Sequence, residues 1–133
     1  MAVYVTDTHP LLWYATETYR KLSPAALRVF QQAERGAALV WVPAMAIWEA
    51  GMLERMQRIQ LKPSFRKWAA ALTAQPGFAF SPLDADAVDS ALSVQLSLDV
   101  FDMGILATAR AKDVPLITKD GVITASKTVE ILW

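Results

Sequence analysis

An α/β sandwich around a largely parallel sheet is the fold class this sequence predicts. Short Val- and Tyr-rich runs such as "AVYVT" and "ALVWV" alternate along the chain with longer segments of helical periodicity. The strand-like runs are apolar on both faces, as strands are when helices cover a sheet on each side. A length of 133 residues with 54% hydrophobic content suits a single domain, expected over residues 1–133.

The first strand, "AVYVT", stops at Asp7, and "HPLLWYATETY" follows as a short helix that tolerates Pro10 in its first turn. A second helix, "LSPAALRVFQQAERG", opens with a Ser23 cap and Pro24 at its first position and closes at Gly36. After the strand "ALVWV", Met45, Trp48, Met52, Met56 and Ile59 fall at helical spacing in "PAMAIWEAGMLERMQRI". The segment "KPSFRKWAAALTAQPG" reads as a helix stopped by Pro76 and Gly77, and "FAF" as a short strand. Two more helices, "LDADAVDSALSVQLS" and "DVFDMGILATARAKD", precede two strands, "VPLIT" and "KTVEILW", which a "KDG" turn separates. Trp13, Trp41, Trp48 and Trp68 are assigned to the core and not to base stacking.

Composition excludes several chemistries. Without cysteine there is no disulfide, zinc–thiolate site or thiol nucleophile. No uncharged run is long enough to span a bilayer and no signal-peptide layout opens the chain, so a cytoplasmic location with no membrane partner is expected. A formal net charge of zero argues against non-specific coating of nucleic acid, yet the charges are segregated. Arg55, Arg58, Lys62, Arg66 and Lys67 cluster with only Glu54 opposing them, and Asp84, Asp86, Asp89, Asp99 and Asp102 follow with no basic residue among them. A solvated helix face accounts for either run as well as a binding surface does.

Four acids sit where their surroundings do not call for them. Asp7 ends the first strand, and Asp120 lies just past "VPLIT"; in a parallel sheet both stand at the carboxyl edge, where open α/β sheets bind ligands. Each also has a purely structural reading, Asp7 as a cap and Asp120 as the first half of an Asp-Gly turn. Glu49 has Met45, Ala46, Met52 and Leu53 as its helical neighbours, an environment costly for a carboxylate unless it turns outward or meets a cation. Asp102 opens a helix apolar nearly all round, and Asp99 is better placed to cap that helix. Four gathered carboxylates repel one another, and a divalent cation is the usual resolution. Without Cys, and with only His9 for nitrogen, Mg²⁺ or Mn²⁺ is favoured; His9 itself reads as a helix-start residue.

The segments "DTHPLLW", "AIWEA", "DVFDMGILATA", "LITKD" and "VEILW", in that order, resemble the PIN-domain family, most closely its VapC-type toxin ribonucleases from prokaryotic toxin–antitoxin pairs. The likeness covers the chain from end to end. It implies a three-layer α/β/α sandwich and Mg²⁺- or Mn²⁺-dependent hydrolysis of RNA by an endoribonuclease. Asp7 and Asp102 become the principal metal ligands by this resemblance, Glu49 and Asp120 complete the catalytic cluster directly or through water, and Thr118 and Asp99 support it. Val100, Met103 and Leu53 depart from the family, which often has Pro, Arg and Lys at those places; Arg55 and Arg58 are the substitute RNA-binding groups. With the apolar surplus, the resemblance implies a homodimer whose groove a small antitoxin protein blocks. Two alternatives stand beside this reading. One is a PIN fold that binds without cutting. The other is phospho-aspartate chemistry of the phosphatase or response-regulator kind, although the phosphatase pattern wants an acid where His9 stands.

Overall fold

A computed structural model describes all residues 1–133. Its centre is a sheet of five strands in the order β3-β2-β1-β4-β5. The strands are β1 (Ala2–Thr6), β2 (Ala38–Pro43), β3 (Phe78–Ser81), β4 (Leu116–Ile117) and β5 (Ile131–Leu132). Every neighbouring pair is parallel. Parallel strands require crossovers, and seven helices supply them: α1 (Thr8–Ala15), α2 (Pro24–Glu34), α3 (Ala44–Arg55), α4 (Phe65–Ala74), α5 (Ala85–Leu92), α6 (Val100–Lys112) and α7 (Gly121–Ser126).

The three layers are visible in the side-chain alternation of the strands. Leu116 and Ile117 are consecutive, both fully buried, and belong to different apolar clusters. On one face Ile117, Val40 and Val42 meet Leu11 of α1, Val29 and Phe30 of α2 and Leu72 of α4. Phe30 lies stacked between Tyr14 and Phe78, with ring centroids 5.0 and 6.2 Å away. Burying a side chain of that size stabilises the fold by about 2–3 kcal/mol. On the other face Val5 and Leu116 meet Met45 and Ala46 of α3, Ile105 and Leu106 of α6 and Ile123 of α7. Gly104 lets α3 and α6 touch, because a Cβ at this position would collide with Cγ of Met45.

The strand order reverses direction at β1: the chain moves outward to β2 and β3, then crosses back to β4 on the other side. That switch opens a crevice at the carboxyl ends of β1 and β4. In it the residues after the two strands are adjacent, since Thr6 pairs with Ile117 and the Asp7 N–H donates to the Ile117 carbonyl at 3.0 Å.

Several expectations need correction. The "KDG" segment does not turn one strand back on another: Asp120 caps α7, and β4 and β5 are parallel. Of "VPLIT" and "KTVEILW" only two residues each pair in the sheet. The helix expected over "LDADAVDSALSVQLS" ends at Leu92, and the one expected through Ile59 ends at Arg55. Trp48 is not a core residue. It is 62% exposed, because Met45, Ala46 and Ala50 form the buried face of α3, and its ring meets the edge of Phe101.

Candidate metal centre

Asp7 caps α1 and also faces the crevice at the end of β1. As the N-cap of α1 it accepts the Thr8 N–H on Oδ1 at 2.7 Å, and on Oδ2 it accepts the hydroxyl of Thr118 at the same distance. Thr118 is fully buried, and its oxygen also accepts the Asp120 N–H at 3.0 Å. One hydroxyl therefore ties the residue after β1 to the first turn of α7. The side chain of Asp7 is held rigidly, with only 6% of the residue exposed.

Glu49 reaches the same crevice from the middle of α3, and Asp102 from the first turn of α6. Asp99 caps α6, accepting the Asp102 N–H at 2.8 Å, which leaves the Asp102 carboxylate free of that task. One oxygen each from Asp7, Glu49 and Asp102 lie within 4.8 Å of one another. The close α3–α6 contact at Gly104 is what allows the last two to meet.

Electrostatics records the crowding. Burial pushes the Asp7 carboxyl above its ordinary value, against the pull of the Thr118 and Thr8 hydrogen bonds. Burial also raises Glu49. Asp102 rises most, to about 7, through burial first and then the charges of Asp7, Asp99, Glu49 and Asp120. The Thr8 hydroxyl and His9 favour the Glu49 anion, yet neither Thr8 Oγ1 nor Glu49 Oε1 completes a hydrogen bond of acceptable geometry. A buried carboxylate oxygen without a donor, among two other carboxylates and no sulfur ligand, fits a hard divalent cation such as Mg²⁺ or Mn²⁺.

Asp120 stands apart from this trio. It lines the same pocket, of about 340 Å³, but its Oδ1 accepts the Ile123 N–H at 2.8 Å as the cap of α7. Asp99 also lines the pocket. Arg55 and Arg58 do not; Arg58 lines a separate open groove with Glu54 and Gln60. The pocket's basic groups are Lys119 and His9, neither of which sequence reasoning assigned to a site. Lys119 had a signal in its position between Thr118 and Asp120, two of the predicted site residues.

Comparison with known proteins bears on the fold and the family. No curated protein matches the chain significantly. Among solved structures, a chain of VapBC2 from Rickettsia felis, bound to a promoter DNA fragment, aligns over 98% of this chain and 97% of its own, with TM-score 0.70 and 9% identity. DNA-bound VapBC from Salmonella typhimurium aligns over 99% and 98%, with TM-score 0.67 and 11% identity. VapC20 of Mycobacterium tuberculosis, described as a sarcin-ricin loop cleaving toxin, aligns over 97% and 98%, with TM-score 0.62 and 17% identity. At these identities the likeness is one of fold. The PIN domain family model matches residues 4–125, a span that includes all four predicted acids, and the chain therefore belongs to the PIN domain family.

Proposed function

We propose that the protein is a Mg²⁺- or Mn²⁺-dependent endoribonuclease, acting in the cytoplasm as the toxin of a toxin–antitoxin pair. The observation that carries this reading is the convergence of Asp7, Glu49 and Asp102, whose oxygens lie within 4.8 Å of one another at the switch point of the sheet. Solved neighbours that are VapBC complexes, and one described as a toxin cleaving the sarcin-ricin loop, support the choice of RNA as substrate and of a small antitoxin as partner. A homodimer is part of the same proposal. No helix is long and apolar enough to cross a membrane.

Asp7, Glu49 and Asp102 would hold the cation, and Asp120, which lines the edge of the same pocket, would complete the cluster. When bound, a divalent cation there would lower the pKa of a water and offset charge developing on the phosphate oxygens. The chain's own residues do the rest. Thr118 and Thr8 fix the Asp7 carboxylate so that its geometry does not change during the reaction. Glu49, whose Oε1 has no protein partner, is the group to accept the proton of the attacking water. Water adds across the P–O bond, and the departing oxygen takes up a proton from solvent in the open pocket.

The test is cleavage of a structured RNA in Mg²⁺, its loss in EDTA, and its loss in Asp7→Asn and Glu49→Gln variants that still fold. RNA that is bound but never cut makes the protein a binding module and refutes the nuclease reading.

A further inference from the structure

The carboxylates share the pocket with residues of a different chemistry, and Lys119, His9 and Trp13 form that part of its wall. Five acids, Asp7, Glu49, Asp99, Asp102 and Asp120, share the lining with a single ammonium, that of Lys119. A polyanion entering such a pocket meets repulsion from every acid that a cation does not neutralise. The non-acidic part of the wall therefore decides whether a phosphate backbone can enter. Lys119 is exposed at the rim, and its backbone is pinned on both sides: Thr118 is bonded to Asp7, and the Asp120 N–H to Thr118. His9 and Trp13 lie one turn apart on α1, directly after Asp7, and both line the pocket. Their ring centroids are 6.1 Å apart. Trp13 is anchored by the edge of Trp133 at 6.2 Å, and Lys21 Nζ stands 5.8 Å from its centroid. A half-buried indole with an imidazole and one ammonium near its ring, in a pocket that a second ammonium also lines, is a combination that suits single-stranded nucleic acid, bases stacking on the ring while cations track the phosphates.

We propose that this wall is a nucleotide-positioning subsite, in which Trp13 stacks on the base next to the scissile phosphate and Lys119 holds that phosphate against the carboxylates. Trp13 thus serves substrate binding as well as packing, whereas sequence reasoning placed it in the core alone. The inference rests on the RNA reading above, but it concerns binding, so its outcome separates from that of cleavage.

The experiment measures binding of two short 2′-O-methyl oligonucleotides in Mg²⁺, one of mixed sequence and one abasic throughout, to the parent, Trp13→Leu, Trp13→Phe and Lys119→Ala. Trp13→Leu is expected to weaken the base-bearing oligonucleotide by roughly tenfold and to leave the abasic one unchanged. Trp13→Phe, which keeps a ring and the packing against Trp133, gives a smaller loss and abolishes the parent's fluorescence quenching on binding. It keeps the comparison valid where Trp13→Leu fails to fold. Lys119→Ala weakens both oligonucleotides and lowers the salt slope by about one. Equal effects of the Trp13 changes on the two oligonucleotides overturn the stacking role, as does the absence of any effect. RNA cleaved by a parent whose affinity the wall variants do not alter overturns this inference alone. Base-dependent binding without cleavage overturns the nuclease reading alone, and a parent that neither binds nor cuts overturns both.

Discussion

Replacing Asp102 by Asn removes one charge from the carboxylate cluster, and its effect on stability changes sign with the metal. In the folded chain the Asp102 carboxyl is pushed up to about 7 from an ordinary 3.8. At about 1.4 kcal/mol per pH unit that shift corresponds to ~4 kcal/mol. Asp102 is only partly buried, so solvent screening reduces the cost to about 1–2 kcal/mol. Because the folded value lies above the unfolded one, the folded chain retains the proton longer. Asp102 therefore costs nothing below pH 3.8, progressively more as pH rises towards 7, and its full amount above that. The helix dipole of α6 opposes this with roughly 0.3–1 kcal/mol in favour of the anion, too little to reverse it. In EDTA at pH 8 the Asp102→Asn variant should thus be more stable than the parent by about 1 kcal/mol, and the two should converge at acid pH. Saturating Mg²⁺ inverts the order. At a hundred times its Kd it stabilises the parent by about 2.7 kcal/mol, and it stabilises the variant much less. Urea unfolding at pH 8, with EDTA and with Mg²⁺, reads both values. A variant less stable than the parent in EDTA would show that the carboxylate serves the helix and not a cation site.

Three further changes probe the surroundings of the cluster. Thr118→Val removes the donor to Asp7 Oδ2 and the acceptor for the Asp120 N–H; it should cost about 1–3 kcal/mol, and a Mn²⁺ titration should show affinity roughly 10- to 100-fold lower. Gly104→Ala drives a methyl into Met45 and should cost about 1–3 kcal/mol despite the better helix propensity of alanine; the double variant with Met45→Ala should show a coupling energy in a denaturation cycle, and additivity would refute the contact. Neutralising Arg55 and Arg58 together should lower the salt slope of RNA binding by about one to two if the end of α3 and the groove that Arg58 lines carry the backbone away from the pocket, and an unchanged slope returns them to a solvated face.

Asp7, Glu49 and Asp102 were legible in the sequence because each breaks its local pattern: an acid at the end of an apolar strand, or among apolar helical neighbours, has an energetic cost that invites an explanation. The parallel sheet was legible for the complementary reason, since its strands are apolar on both faces. The helix α7 was hidden. "GVITAS" is short and β-branched after an Asp-Gly signal, so the sequence showed only a turn there between two strands, whereas the Asp120 cap and the burial of Ile123 make it a helix. Trp48 misled because helical spacing identifies a stripe without saying which side the sheet lies on. The wall of Lys119, His9 and Trp13 was invisible as a unit, since more than a hundred positions separate its members and only the pairing of β1 with β4 brings them together.

That pairing also sets when the pocket can exist. The bond between Thr118 and Asp7 joins residues 111 positions apart, and Asp102 enters from a helix made late in synthesis. A ribosome-bound chain that has emerged only through α5 has Asp7 and Glu49 but neither Asp102 nor the hydroxyl that fixes Asp7. Any hydrolytic power of the cluster is therefore withheld from the nascent chain until the segment that carries Asp102 and Thr118 has emerged.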